Sequence, residues 1–180
     1  MKTYIALFRG INIGGHNLLP MKDLVLILQR LGLQKIRTYI QSGNVLFQCE
    51  ERNASQLADR MSAEIKKTQG FAPQVLLLDP KDLSKAITGN PFPEAESDPK
   101  TLHVLFLMSA PKAPDLKKLE QIKAASERFE LKGRLFYLHA PDGVGRSKLA
   151  ASAERLLGVP VTGRNWKTVQ EIMVLAKKAP

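Results

Sequence analysis

Arg9, Asn12, His16 and Asn17 stand among Gly10, Gly14 and Gly15 in the stretch "RGINIGGHNLLP" (9–20), between two apolar segments. Glycine lets a backbone turn left-handed or come close to a ligand. Amide and guanidinium donors beside it can hold phosphate or carboxylate oxygens without a metal. The spacing Gly10-x-x-x-x-Gly15 is that of a phosphate-binding loop, but His16-Asn17 occupies the place of the required Lys and Ser/Thr. Without that lysine and hydroxyl, the terminal phosphates and magnesium lose their side-chain partners. Nucleotide hydrolysis by this loop is disfavoured. The plainer reading is a tight chain reversal, which accounts for the glycines but not for the polar residues beside them.

A second polar cluster lies in "APDGVGRS" (140–147), where Arg146 takes the place of the phosphate-loop lysine. Ser147 is a natural helix N-cap, and Arg146 and Lys148 flank the positive end of the helix that follows. The segment reads either as an anion seat or as a basic turn with an ordinary cap. In "TGRNWKT" (162–168), Arg164, Asn165 and Lys167 surround the only tryptophan. Trp166 could stack on a ring or anchor a core. "QSGN" (41–44) reads as a hairpin turn around Ser42-Gly43, and Asn44 joins a site only if it faces the first loop.

Other chemistries are not supported. His16, His103 and His139 show no metal-ligand spacing with one another, with Cys49 or with paired carboxylates. No metal and no cofactor are expected. There is no G-x-S-x-G elbow, and no catalytic residue can be assigned. Of the residues in the polar loops, His16 is the one suited to acid–base catalysis.

The elements that must position these residues follow from periodicity. "TYIALFR" (3–9) reads as a strand, and 21–32 as a helix with Leu24, Ile27, Leu28 and Leu31 at helical spacing. Two strands flank Ser42-Gly43. A helix over 53–70 opens on a capping Asn53 and closes on lysines and glycine. A buried strand (73–79) and a proline-started helix follow. Strand, helix, hairpin, helix, strand is the split β-α-β, ferredoxin-like plan. After a Pro-rich linker (89–100) the pattern restarts with a strand (101–108), a helix (114–126), a hairpin and a helix (147–158). The expected fold is therefore α+β, with ferredoxin-like halves at 1–88 and 101–180. The second half is expected to end in an extra helix in place of the closing strand.

The chain has 180 residues, 44% of them hydrophobic and 24% charged, which suits a packed, non-disordered protein. One cysteine excludes an internal disulfide and fits a reducing, cytoplasmic setting. The apolar runs are too short for a signal peptide or a membrane span, so no membrane partner is expected. The net charge is +10, and residues 132–167 carry 7 cations against 2 acids. Such a field attracts anions.

"YIALFRGINIGGHNLLPMKDL", "RTYIQSGNVLF", "GVGRSKLA" and "GRNWKTV" together resemble the bacterial family named domain of unknown function 1697. The resemblance runs from Tyr4 to the last helix. It implies a two-part α+β fold of ferredoxin-like character, a cytoplasmic setting and no established activity.

The first functional expectation is a binding protein, with or without turnover, for an anionic, phosphorylated small molecule. Its cleft would be formed by the loops at 9–17, 142–148 and 163–168, with Asn12, His16 and Asn17 facing Arg164, Asn165 and Lys167. The alternative is an RNA- or DNA-binding module using the basic surface. That needs exposed aromatics among basic residues, whereas Phe8, Phe47, Phe106 and Phe136 lie in apolar runs. A protein-interaction or dimerisation module is the third class. Oligomeric state is not legible.

Overall fold

Every residue from Tyr4 to Phe8 is buried, although successive side chains on a strand face opposite ways. This strand, β1 (Lys2–Arg9), is therefore covered on both faces. On one face Tyr4, Ala6 and Phe8 join Leu24, Ile27 and Leu28 of α1 (Met21–Arg30) and Leu57, Met61 and Ile65 of α2 (Ala54–Gln69) in one core. The computed structural model describes residues 1–178.

The first sheet comprises β1 with β2 (Gln34–Tyr39), β3 (Asn44–Cys49) and β4 (Gln74–Leu78), followed by α3 (Pro80–Thr88). Its strand order is β2-β3-β1-β4, and all the pairings are antiparallel. The second sheet is built from β5 (Leu102–Leu107), β6 (Arg128–Lys132), β7 (Leu135–His139) and β8 (Val161–Asn165), in the order β6-β7-β5-β8. Helices α4 (Leu116–Ile122) and α5 (Lys148–Leu157) contribute Leu119, Leu149, Ala153, Leu156 and Leu157 to a core with Leu105, Phe136 and Leu138. A final helix, α6, spans Trp166–Lys177. The two element orders match one for one, giving two ferredoxin-like halves.

The helix ends are capped, Asn53 and Ser147 acting as expected. Asn53 accepts from the Gln56 N–H, Ser147 from Ala150 and Asp115 from Lys118, while Gly70 and Gly158 end α2 and α5 in left-handed conformations.

Two expectations are corrected. The second half does not replace its closing strand with a helix: β8 pairs with β5 from His103↔Asn165 to Leu107↔Val161, and α6 is additional. "VTGRN" is short, and its glycine and polar residues give little strand signal. A Cβ at Gly163 would lie 2.8 Å from Leu105 Cδ2, so a larger residue there makes the Leu105 side chain shift. The β2–β3 connection is also longer than a two-residue turn. Tyr39 pairs with Asn44, leaving the four residues Ile40–Gly43 between them.

The chain divides into two compact units, Met1–Ser84 with the chain from Glu171 onward, and Lys85–Gln170. The proline-rich segment 89–100 is ordered within the second unit. Lys132 Nζ donates to Gly89 O at 2.9 Å, Arg128 pairs with Glu94, and the Arg128 guanidinium lies 4.8 Å from the Phe92 ring centroid.

Candidate functional site

In the first unit the glycine loop folds into a miniature hairpin. The Asn12 N–H donates to Asn17 O at 3.1 Å, and the His16 N–H donates to Ile13 O at 3.0 Å. Between them Gly14 and Gly15 have φ of 59° and 78°. Left-handed conformations at both centres of a two-residue turn explain the glycine pair. Asn12 and Asn17 are left-handed as well, at 54° and 50°, a conformation asparagine tolerates better than most residues.

The amides hold this loop together. Asn12 Nδ2 donates to Leu19 O at 2.8 Å and to Gln41 O at 2.9 Å, while its Oδ1 accepts from the Leu19 N–H at 2.7 Å. Asn17 Nδ2 donates to Gly10 O at 2.9 Å. Arg9 Nη1 donates to Gln74 Oε1 at 2.9 Å. Asn44, 1% exposed, donates to Tyr39 O and Ser42 Oγ.

The structure therefore brings the 9–19 loop and the 40–43 turn together, through Asn12–Gln41 and through a Phe8 N–H to Gly43 O bond of 2.8 Å. Gly43 is fixed by this closeness. At φ 76°, a Cβ would lie 2.6 Å from Phe8 Cβ and 2.7 Å from Ile11 Cδ1. What remains exposed on the two loops is Ile13, the turn glycines Gly14 and Gly15, His16, Asn17, Leu18, Ile40 and Gln41.

The other candidate residues belong to the second unit. Arg146 ends a short 3-10 turn (Val144–Arg146), and Ser147 caps α5 with its hydroxyl. Arg146 and Lys148 are exposed. They and Ser147 line a depression of about 270 Å³ with Ile122, Ala124 and Glu127. The first backbone N–H groups of α5, at Lys148 and Leu149, point out of the helix start without intrahelical acceptors. The buried Glu127 carboxylate, in the same wall, accepts from the Ala124 N–H at 2.8 Å.

Arg164 is buried, and burial lowers its pKa to about 10. Its Nη1 donates to Thr162 Oγ1 at 2.9 Å and Gly163 O at 2.8 Å. Asn165 accepts from the Thr168 N–H and so caps α6. Trp166 is fully buried, which makes it a packing anchor, and Lys167 is exposed.

Phe8, Phe47, Phe106, Phe136 and Tyr137 are all buried, and the exposed large apolar side chains are aliphatic or Met. The sequence reading missed the depression of about 600 Å³ lined by Gln34, Cys49, Glu50, Glu51 and Arg60 among others. No motif marks it, because its walls come from the ends of separate elements. Burial raises the Cys49 thiol above its ordinary pKa, which disfavours the thiolate. Among the described residues there is no His/Cys/Asp/Glu group able to hold a metal, and no helix long and apolar enough to cross a membrane.

The chain is similar to the solved structure of the conserved bacterial protein SP0830 from Streptococcus pneumoniae. That match has a TM-score of 0.71 and 27% identity, and covers 99% of each chain. No curated protein matches the chain significantly. A family model matches residues 1–137, which contain the glycine loop and the β2–β3 turn but stop before "GVGRSKLA" and "GRNWKTV". By that match, over most of its length, the chain belongs to the family described as Protein of unknown function (DUF1697).

Proposed function

We propose that this protein binds an anionic, phosphorylated small molecule, and that the seat lies at the start of α5. The observation that carries the reading is the pair of exposed cations, Arg146 and Lys148, flanking the capped N-terminus of α5 over the 270 Å³ depression. Two cations, a helix start and first-turn N–H groups are complementary to a phosphate. The net charge of +10 favours encounter with anions. The Glu127 carboxylate would repel an anion, which favours the Arg146–Lys148 side of the depression for it. Of the wider set of loop residues, Asn12, Asn17, Asn44 and Asn165 hold their own loops and helix ends. Lys167, in the same unit as α5, is exposed and stays available to a larger ligand. A single buried cysteine suits a reducing, cytoplasmic setting.

Isothermal titration with inorganic phosphate and a hexose phosphate tests the reading. Charged hydrogen bonds are worth about 1.5–3 kcal/mol each, so Arg146→Ala with Lys148→Ala should weaken binding at least tenfold. Glu127→Gln should strengthen it. Absence of saturable binding, or equal affinity in the double variant, would overturn the proposal.

A further inference from the structure

Ile13 and Leu18 flank the glycine turn and are 62% and 65% exposed, and Ile40 on the adjoining turn is 50% exposed. Asn12 ties the two loops by its bond to Gln41 O, so the three side chains ride on one braced platform. Ile40 also holds φ at 49°. A β-branched residue in the left-handed region is strained. Nothing about a plain chain reversal calls for that residue at that place, or for aliphatic tips turned to water. Strain of this kind gathers where a surface is preorganised for a ligand.

The surrounding charge indicates the occupant. Near the platform Arg9 ends β1, Lys22 lies in the first turn of α1 and Arg37 lies two residues before Tyr39 at the end of β2, against the single acid Asp23. A second copy of a chain with net charge +10 would be repelled. Apart from the His16 imidazole, the tips carry no exposed aromatic ring to stack on a base, and no Trp or Tyr to sit at a lipid headgroup boundary. We propose that the 10–19 and 40–43 loops form a docking surface for an acidic protein segment with aliphatic anchors. This site is separate from the anion seat on α5 and does not rest on it.

The test uses the full chain and fluorescence anisotropy of three short synthetic peptides: alternating leucine–glutamate, leucine–lysine and serine–glutamate. Glutamate alone would be attracted by the charge of the protein, so the aliphatic anchors must matter. The expected result is preference for the leucine–glutamate peptide, lost at least tenfold in Ile13→Ser and in Leu18→Ser. Both residues are exposed, and unchanged thermal unfolding of each variant confirms its fold. Failure to prefer that peptide over both controls would overturn the proposal, as would equal binding by the two variants. Phosphatidylglycerol vesicles and a single-stranded oligonucleotide serve as competing probes. Binding of either one that depends on Leu18 as strongly would also overturn it.

Discussion

Asn12 holds the backbone of Leu19 by both its groups, donating from Nδ2 at 2.8 Å and accepting at Oδ1 at 2.7 Å. It thereby closes the glycine loop and seats the fully buried Leu19 side chain in the core of the first unit. Asn12→Ala removes these bonds and the one to Gln41, and sets alanine at a left-handed φ. At about 1 kcal/mol per hydrogen bond, urea unfolding should show a loss of about 2–3 kcal/mol. An unchanged midpoint would contradict this role.

Ile40 is expected to behave in the opposite way. Glycine adopts a left-handed φ without steric cost, and the Ile40 side chain is half exposed. Ile40→Gly should therefore raise stability by about 1 kcal/mol by relieving strain, less the entropy glycine adds to the unfolded chain. A clear loss in thermal unfolding would show that Ile40 is held by packing instead.

The glycine loop was legible as a loop because Gly10, Gly14 and Gly15 sit between apolar runs. The use of its amides was not legible. The Leu19 and Gln41 groups that Asn12 binds lie 7 and 29 residues along the chain. The paired element orders were readable from periodicity and caps, since Asn53, Ser147 and Gly158 act locally. β8 was not, because a five-residue strand containing Gly163 and Arg164 is defined by its partner β5. The burial of Arg164 has the same origin: it is decided by which way a short strand faces.

Arg164 and Thr162 lie two residues apart on β8, joined by a 2.9 Å bond within a buried surrounding. Arg164→Ala removes a long buried side chain and leaves polar groups without a donor. Stability should fall by about 2–3 kcal/mol, with Arg164→Lys recovering only part of it. Unfolding curves decide the matter. A fully stable Arg164→Ala variant that had lost anion affinity would assign this residue to a ligand instead.

His139 links stability to pH. Burial first, and then the Arg128 guanidinium, lower its pKa below the ordinary 6.5, against the opposing pull of Glu94 and Asp98. Arg128 Nη2 donates to His139 Nδ1 at 3.0 Å, which requires the neutral ring. A lowered folded pKa means that the unfolded chain binds protons first on acidification. The contribution is full above about 6.5 and is lost as pH falls through the folded value. The half-buried His103, also lowered by burial, acts in the same direction. An NMR titration should place the His139 midpoint below 6.5, and Arg128→Gln should raise it while leaving His103 unmoved. A midpoint at or above 6.5 would contradict this arrangement.

The anion seat is tested most directly by following backbone amide resonances while inorganic phosphate is added at constant ionic strength. The account predicts saturable shifts concentrated from Val144 to Leu149, at the end of the 3-10 turn and the start of α5. Those shifts should vanish when Arg146 and Lys148 are both replaced by alanine. Shifts that never saturate, or that saturate elsewhere and leave this segment unmoved, would contradict it.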